Sequence, residues 1–252
     1  MAELNRSHDT DDARDADDGH RASNVSGVHG AHRTRIKLCG MTRAADVDLA
    51  VRLGADAIGL VFYEKSPRAV SVTQAAALAR RLPPFVATVG LFVNADAASV
   101  CRAAEAGQLS LLQFHGDETP AQCARLADAA RLPWIRALRI GSTTTPADLL
   151  KYVSLYAAAR GLVLDALVDG YGGGGHPFDW SCIPKELGHQ VVLGGGLDAR
   201  NVADAVRRVR PYAVDVSSGI EAAGDAQVKG VKDAARMAAF VQAVRAADRD
   251  AA

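Results

Sequence analysis

A chain of 252 residues, 49% of them hydrophobic, is long enough to bury one substantial core, and single-domain α/β barrels commonly run to this size. Lys plus Arg and Asp plus Glu each total 29, so no net field draws the chain onto nucleic acid or an anionic membrane, and a small-molecule partner is expected. The four cysteines, Cys39, Cys101, Cys123 and Cys182, are widely spaced, with neither a CxxC pair nor histidines at metal-ligand spacing; they fit a reduced cytoplasmic protein without a metal site.

Residues 1–33 carry an acidic run with scattered Ser, Gly and His and almost nothing to bury, so a disordered N-terminal tail is expected there. The segment lacks the apolar stretch of a secretory signal, and its acidity argues against an organelle transit peptide. No apolar run approaches the ~18 residues of a membrane span. The folded domain is expected over 34–248.

From Thr34 onward, short β-branched or apolar runs alternate with Ala- and Arg-rich stretches of helical period. Strands are predicted at 35–39, 57–62, 87–93, 109–114, 134–138, 161–165, 190–194 and 213–217. Helices are predicted at 43–53, 72–82, 96–106, 119–130, 146–159, 179–187, 198–208 and 229–246. Strict alternation implies parallel strands joined by right-handed crossovers, and eight units in this length predict a single (β/α)8 barrel. An open dinucleotide-binding sheet would need GxGxxG after its first strand, where the chain reads CGMTRA. Barrel enzymes build their sites at the C-terminal ends of the strands, which makes those ends the places to inspect.

Strand 1 ends in Lys37-Leu38-Cys39, and its period of two puts Lys37 and Cys39 on one face, inward if Ile36 and Leu38 meet the helices. A free cysteine is commonly an inert hydrophobe, but the ammonium of Lys37 and the helix that follows would both favour a thiolate below the usual pKa of about 8.5. After strand 2, FYEKSPRAV supplies Arg68, whose planar fork suits a substrate carboxylate or else a solvated surface. Strand 4 ends in LLQFHG, where Gln113 and His115 share a face; Gln113 is read as a substrate contact and His115 as a hydrogen-bonded supporting residue. Strand 5 offers Arg136 as an inward-facing cation.

Strand 6 ends in Asp165, either an ion-pair partner for Lys37 or Arg136 or the acid that answers Cys39 across the barrel mouth. The glycine-rich 165–180 that follows has the character of a flap. Strands 7 and 8 run into LGGGLD and DVSSGIE, at the place where many barrels bind phosphate through backbone N–H groups; Gly195, Gly196, Ser218 and Gly219 form the candidate anion cradle. Asp215 on strand 8, the neighbour of strand 1 after closure, is a partner for Lys37. Cys101, Cys123 and Cys182 fall in helical stretches and are read as packing.

The motifs KLCGMTRAADV, GADAIGLVFYEKSPRAV, VGLFVN, LLQFHGDE, LVLDA, GGGGHPFDW, LGGGLDARNV and VDVSSGIE with KGVKD occur in this order from Thr34 to about Ala246. In that order they resemble the phosphoribosylanthranilate isomerases, barrel enzymes of tryptophan biosynthesis. The resemblance implies an Amadori rearrangement of N-(5-phosphoribosyl)anthranilate to 1-(2-carboxyphenylamino)-1-deoxyribulose 5-phosphate, with no cofactor and no metal. It implies Asp165 as the general acid at the furanose oxygen and Cys39 as the general base at C2'. It further implies Arg68 at the anthranilate carboxylate, and phosphate held by the loops after strands 7 and 8. A raised acid pKa and a lowered thiol pKa are the expected tuning. Two features depart from the family: Gly174 stands where a threonine is usual, and the N-terminal tail has no counterpart. A histidine-pathway isomerase would use two aspartates and a doubled half-barrel, and a non-catalytic metabolite-binding barrel would not need both Cys39 and Asp165. With no extra apolar face evident in the sequence, a monomer is expected and a homodimer is the alternative.

Overall fold

The computed structural model describes residues 33–167, 177–223 and 229–250. The tail at 1–32 and the four glycines at 172–175 lie outside the described residues. Eight strands form one closed parallel barrel in sequential order. They are β1 (Arg35–Cys39), β2 (Ala57–Val61), β3 (Ala87–Phe92), β4 (Leu111–Phe114), β5 (Trp134–Ile140), β6 (Leu162–Ala166), β7 (Val191–Leu193) and β8 (Ala213–Val216). Around them lie α1 (Ala44–Arg52), α2 (Val72–Ala79), α3 (Ala97–Ala106), α4 (Pro120–Ala130), α5 (Pro146–Leu155), α6 (Val202–Val209) and α7 (Ala234–Asp250).

The sequence explains where several helices begin. Ser71 with Gln74 and Thr119 with Gln122 form reciprocal capping boxes, as does Thr145 with Asp148, and Pro120 and Pro146 occupy first-turn positions that need no N–H. The helix expected at 179–187 is instead two 3-10 turns, Trp180–Cys182 and Lys185–Gln190. Pro184 between them cannot donate a helical hydrogen bond, which interrupts a continuous helix at that point. α6 starts four residues later than the expected 198, because the Asp198 carboxylate accepts from the backbone N–H of Arg200 and of Asn201 and makes a turn first.

Strand alternation sorts the core into two shells. Ile36, Leu38, Ile58, Leu60, Leu112 and Phe114 face outward to the helices and are almost fully buried. Inside, Cys39, Val61, Leu91 and Val93 pack near the C-terminal ends, and Ile135, Ala137 and Val163 pack as a separate inner cluster. An aromatic row, Phe62, Phe92, Phe114, Trp134 and Tyr156, with centroids 5.3–6.4 Å apart, runs between barrel and helices and stiffens one side of the outer shell.

Candidate active site

The parallel register sets Lys37 beside Asp215 and Cys39 beside Gly59. Lys37 Nζ donates to both carboxylate oxygens of Asp215 at 2.9 and 2.8 Å, the pairing expected from closure of the barrel. Burial alone would lower the Lys37 pKa, but the Asp215 carboxylate more than offsets it and the ammonium is held firmly charged. Cys39 lies one turn of alternation further on. Its thiol does not behave as expected: burial pushes it above its ordinary value, outweighing the pull of Lys37 and Lys232, while Asp215 pushes in the same direction as burial. The correction is one of solvation: Lys37 still favours the thiolate, but the exclusion of water from the sulfur outweighs it.

Gly59 makes space for this sulfur. A Cβ at that position would sit 2.5 Å from Cys39 Sγ. Gly40, with φ +74°, does the same for Arg68, whose Cδ would be 2.6 Å from a Cβ there. Ser217 Oγ donates to the Cys39 carbonyl at 3.1 Å, tying β8 to the turn after β1.

Cys39, Asp165, Arg68, Gln113 and His115 all line one cavity at the C-terminal strand ends. Asp165 comes from β6, and its Oδ2 lies 3.1 Å from His115 Nε2, although the ring nitrogen is not aligned for a hydrogen bond. Its Oδ1 accepts from the backbone N–H of Ala166 at 3.0 Å. Gln113 is fully buried, and neither amide atom bonds to another described group. A buried amide is costly in that state, so its head group marks a polar position facing the cavity.

The loop after β7 has Gly195 and Gly196 at φ +75° and +69°, backbone that side-chain-bearing residues rarely adopt. Asn201 braces it, donating to the Gly196 carbonyl at 2.9 Å and accepting from Asp198 N–H at 2.9 Å. Ser218 opens a 3-10 turn after β8, and the Gly219 backbone in that turn packs against Leu197. Gly195, Gly196 and Ser218 line the cavity, so three of the four cradle candidates meet there, and Gly219 acts by bringing the two loops together.

Arg136 requires a correction. It faces outward, because its neighbours Ile135 and Ala137 take the inner face of β5. Its guanidinium donates to Glu118 Oε2 at 2.7 Å and to the Phe114 and Gly116 carbonyls, and stacks 5.3 Å from the Tyr156 ring. Glu118 in turn accepts from the backbone N–H groups of Asn94 and Gly116, so the pair ties the ends of β3 and β4 together rather than touching Asp165.

Arg68 reaches the cavity, but two of its nitrogens are bound to Glu221, a residue that sequence reasoning left unassigned together with Lys232, Gly59 and Ser217. Glu221 and Lys232 do stand within the VDVSSGIE and KGVKD motifs, yet charged residues beside loops carry no periodic signal of burial. Among the described residues, no group of three or more His, Cys, Asp or Glu is placed to hold a metal ion.

A family model described as N-(5'phosphoribosyl)anthranilate (PRA) isomerase matches residues 36–243. The N-(5'-phosphoribosyl)anthranilate isomerase of Ralstonia nicotianae is 60% identical over 226 residues, covering 86% of this chain and 95% of that protein. A phosphoribosylanthranilate isomerase solved with reduced 1-(o-carboxyphenylamino)-1-deoxyribulose 5-phosphate superposes with a TM-score of 0.70 at 35% identity, covering 84% of this chain and 99% of its own. Generated monomers of the dimeric enzyme of Thermotoga maritima superpose with a TM-score of 0.70 at 33% identity and the same coverage. With a family model spanning most of the barrel and a relative of this identity, the chain belongs to the N-(5'-phosphoribosyl)anthranilate isomerase family.

Proposed function

We propose that Cys39 and Asp165 are the base and the acid with which the chain isomerises N-(5'-phosphoribosyl)anthranilate in tryptophan biosynthesis, the activity of its family. The observation that carries the assignment is the single cavity at the C-terminal strand ends, which joins a thiol, a carboxyl, an arginine and a positive-φ glycine loop. Asp165 gives a proton to the furanose oxygen; the C1'–O bond breaks as the anilino nitrogen forms an iminium at C1'. The Cys39 thiolate takes the C2' proton, and the electrons left behind form a C1'=C2' enolamine that tautomerises to the C2' ketone. Oxidation at C2' balances reduction at C1' within one molecule, so the reaction is an intramolecular oxidoreduction and needs no redox partner.

Two groups are required because ring opening consumes a donated proton, whereas enolamine formation removes a different one. Gly195, Gly196 and the Ser218–Gly219 turn supply N–H groups for the phosphate, whose remote binding holds the sugar between acid and base. The buried amide of Gln113 gains a partner when substrate hydroxyls occupy the cavity, and Arg68 faces the anthranilate carboxylate. The test follows loss of anthranilate fluorescence on freshly generated substrate. Wild type should turn over, and Cys39→Ala and Asp165→Asn should each lose at least ~10³-fold in kcat; retention of activity by either variant refutes its role.

The assembly is best read as a homodimer rather than the monomer expected from sequence. Phe85, in the loop before β3, is 98% exposed. It stands at the N-terminal end of the barrel, where a mainly apolar cavity of about 710 Å³ opens over the small residues Ala57, Ala87 and Ala213. An exposed phenyl ring and an apolar recess on one end favour pairing of two copies through that end. No described helix is long and apolar enough to cross a membrane, and a cytoplasmic location accords with this reading.

A further inference from the structure

Arg68 is held before any substrate arrives. Nε and Nη2 donate to Glu221 Oε1 and Oε2 at 2.7 and 2.8 Å, a two-nitrogen grip that leaves Nη1 without a hydrogen bond to any described residue. Glu221 has further partners: Oε1 also accepts from Lys232 Nζ and from Gly230 N–H, each at 3.1 Å. Lys232 has no exposed side-chain surface and spends its other donors on the Ser217 carbonyl and hydroxyl, at 3.0 and 3.3 Å. The cluster therefore couples the loop after β2, the turn after β8 and the segment leading into α7. Within the cluster two cations face one anion, Lys37 and Asp215 nearby balance each other, and the Asp165 carboxyl in the same cavity also acts on Arg68. A further carboxylate entering beside Arg68 meets a guanidinium already held in place.

We propose that Glu221 is a positioning residue for recognition of the substrate's aromatic carboxylate: it grips one edge of the Arg68 guanidinium so that the remaining edge meets the carboxylate at the barrel mouth. The proposal rests on the reading that Arg68 receives that carboxylate. Glu221 itself touches no substrate atom, and the passage of the arginine arm across Gly40 fixes the direction in which the free edge points.

The experiment compares inhibition by two reduced product analogues, with and without the ring carboxylate, alongside KM and kcat. In wild type the carboxylated analogue should bind at least ~100-fold tighter, since a charge-assisted pair in a buried site is at stake. Glu221→Gln should cut that preference about tenfold or more and raise KM while leaving kcat within about threefold. In an Arg68→Ala background, where the preference is already gone, adding Glu221→Gln should change nothing further. An unchanged preference in Glu221→Gln, or equal weakening of both analogues, overturns the proposal. If Arg68→Ala keeps the wild-type preference, the reading of Arg68 falls first and this inference with it. Should Glu221→Gln fail to fold, Arg68→Lys decides: it keeps the charge but has no two-nitrogen edge, so a retained preference shows that the grip is irrelevant.

Discussion

Replacing Gly59 by alanine would add one methyl group to the inner face of β2, opposite Cys39. The new Cβ would lie 2.5 Å from Sγ, 3.1 Å from Cα and 3.2 Å from Cβ of Cys39. Non-bonded heavy atoms rest at about 3.5–4.0 Å, so the thiol must move by ~1 Å or more. Gly59 is absent from the positive-φ positions, and alanine adopts its backbone without strain. A moderate net loss of stability, up to ~2.6 kcal/mol, is expected: overpacking costs ~1–3 kcal/mol, partly offset by the ~0.4–1 kcal/mol that Gly→Ala recovers from the unfolded chain. Catalysis by the protein that remains folded should fall as well. A 1 Å misplacement of a reacting group costs ~10²-fold, equivalent to ~2.7 kcal/mol of transition-state stabilisation. The assay is kcat by loss of anthranilate fluorescence, paired with a thermal melt. A folded Gly59→Ala protein whose kcat lies within about threefold of wild type would refute the reasoning, because the sulfur would then not need its present position.

Because burial raises the Cys39 thiol, only a small fraction is thiolate at neutral pH, and kcat/KM should still be climbing as pH rises from ~7 to ~9. That limb should vanish in Cys39→Ala and move to higher pH in Lys37→Met, which removes the stronger of the two ammonium groups that favour the thiolate; a move to lower pH would reverse the sign and sink the account. If copies pair through the N-terminal end of the barrel, Phe85→Asp should halve the molar mass measured by light scattering while leaving kcat within about twofold, since the cavity with the chemistry lies at the opposite end. A wild-type protein that already runs as a monomer contradicts this.

The architecture was legible in the sequence because its causes are local. The period of two in RIKLC, the capping pairs at Ser71, Thr119 and Thr145, and the regular alternation of strands and helices are properties of neighbouring residues, and each observed strand lies within two residues of its expected limits. That Cys39 and Asp165 stand together at the barrel mouth followed from their places at strand ends, and the Lys37–Asp215 pair followed from closure of β8 on β1. Tertiary structure decided what depends on surroundings. WIRALRI is buried on both faces except at Arg139, so alternation alone gave Arg136 no direction; Glu118, contributed by another loop, set it outward. The sign of the Cys39 shift depends on how completely water is excluded, and the need for glycine at 59 depends on a sulfur on the adjoining strand. Arg68 and Glu221 are 153 residues apart, Lys37 and Asp215 178. Short-range patterns specify which elements form and which way their side chains alternate. Charge compensation, desolvation and steric room exist only once distant segments are brought together, and there the folded barrel, not the local sequence, determines the chemistry.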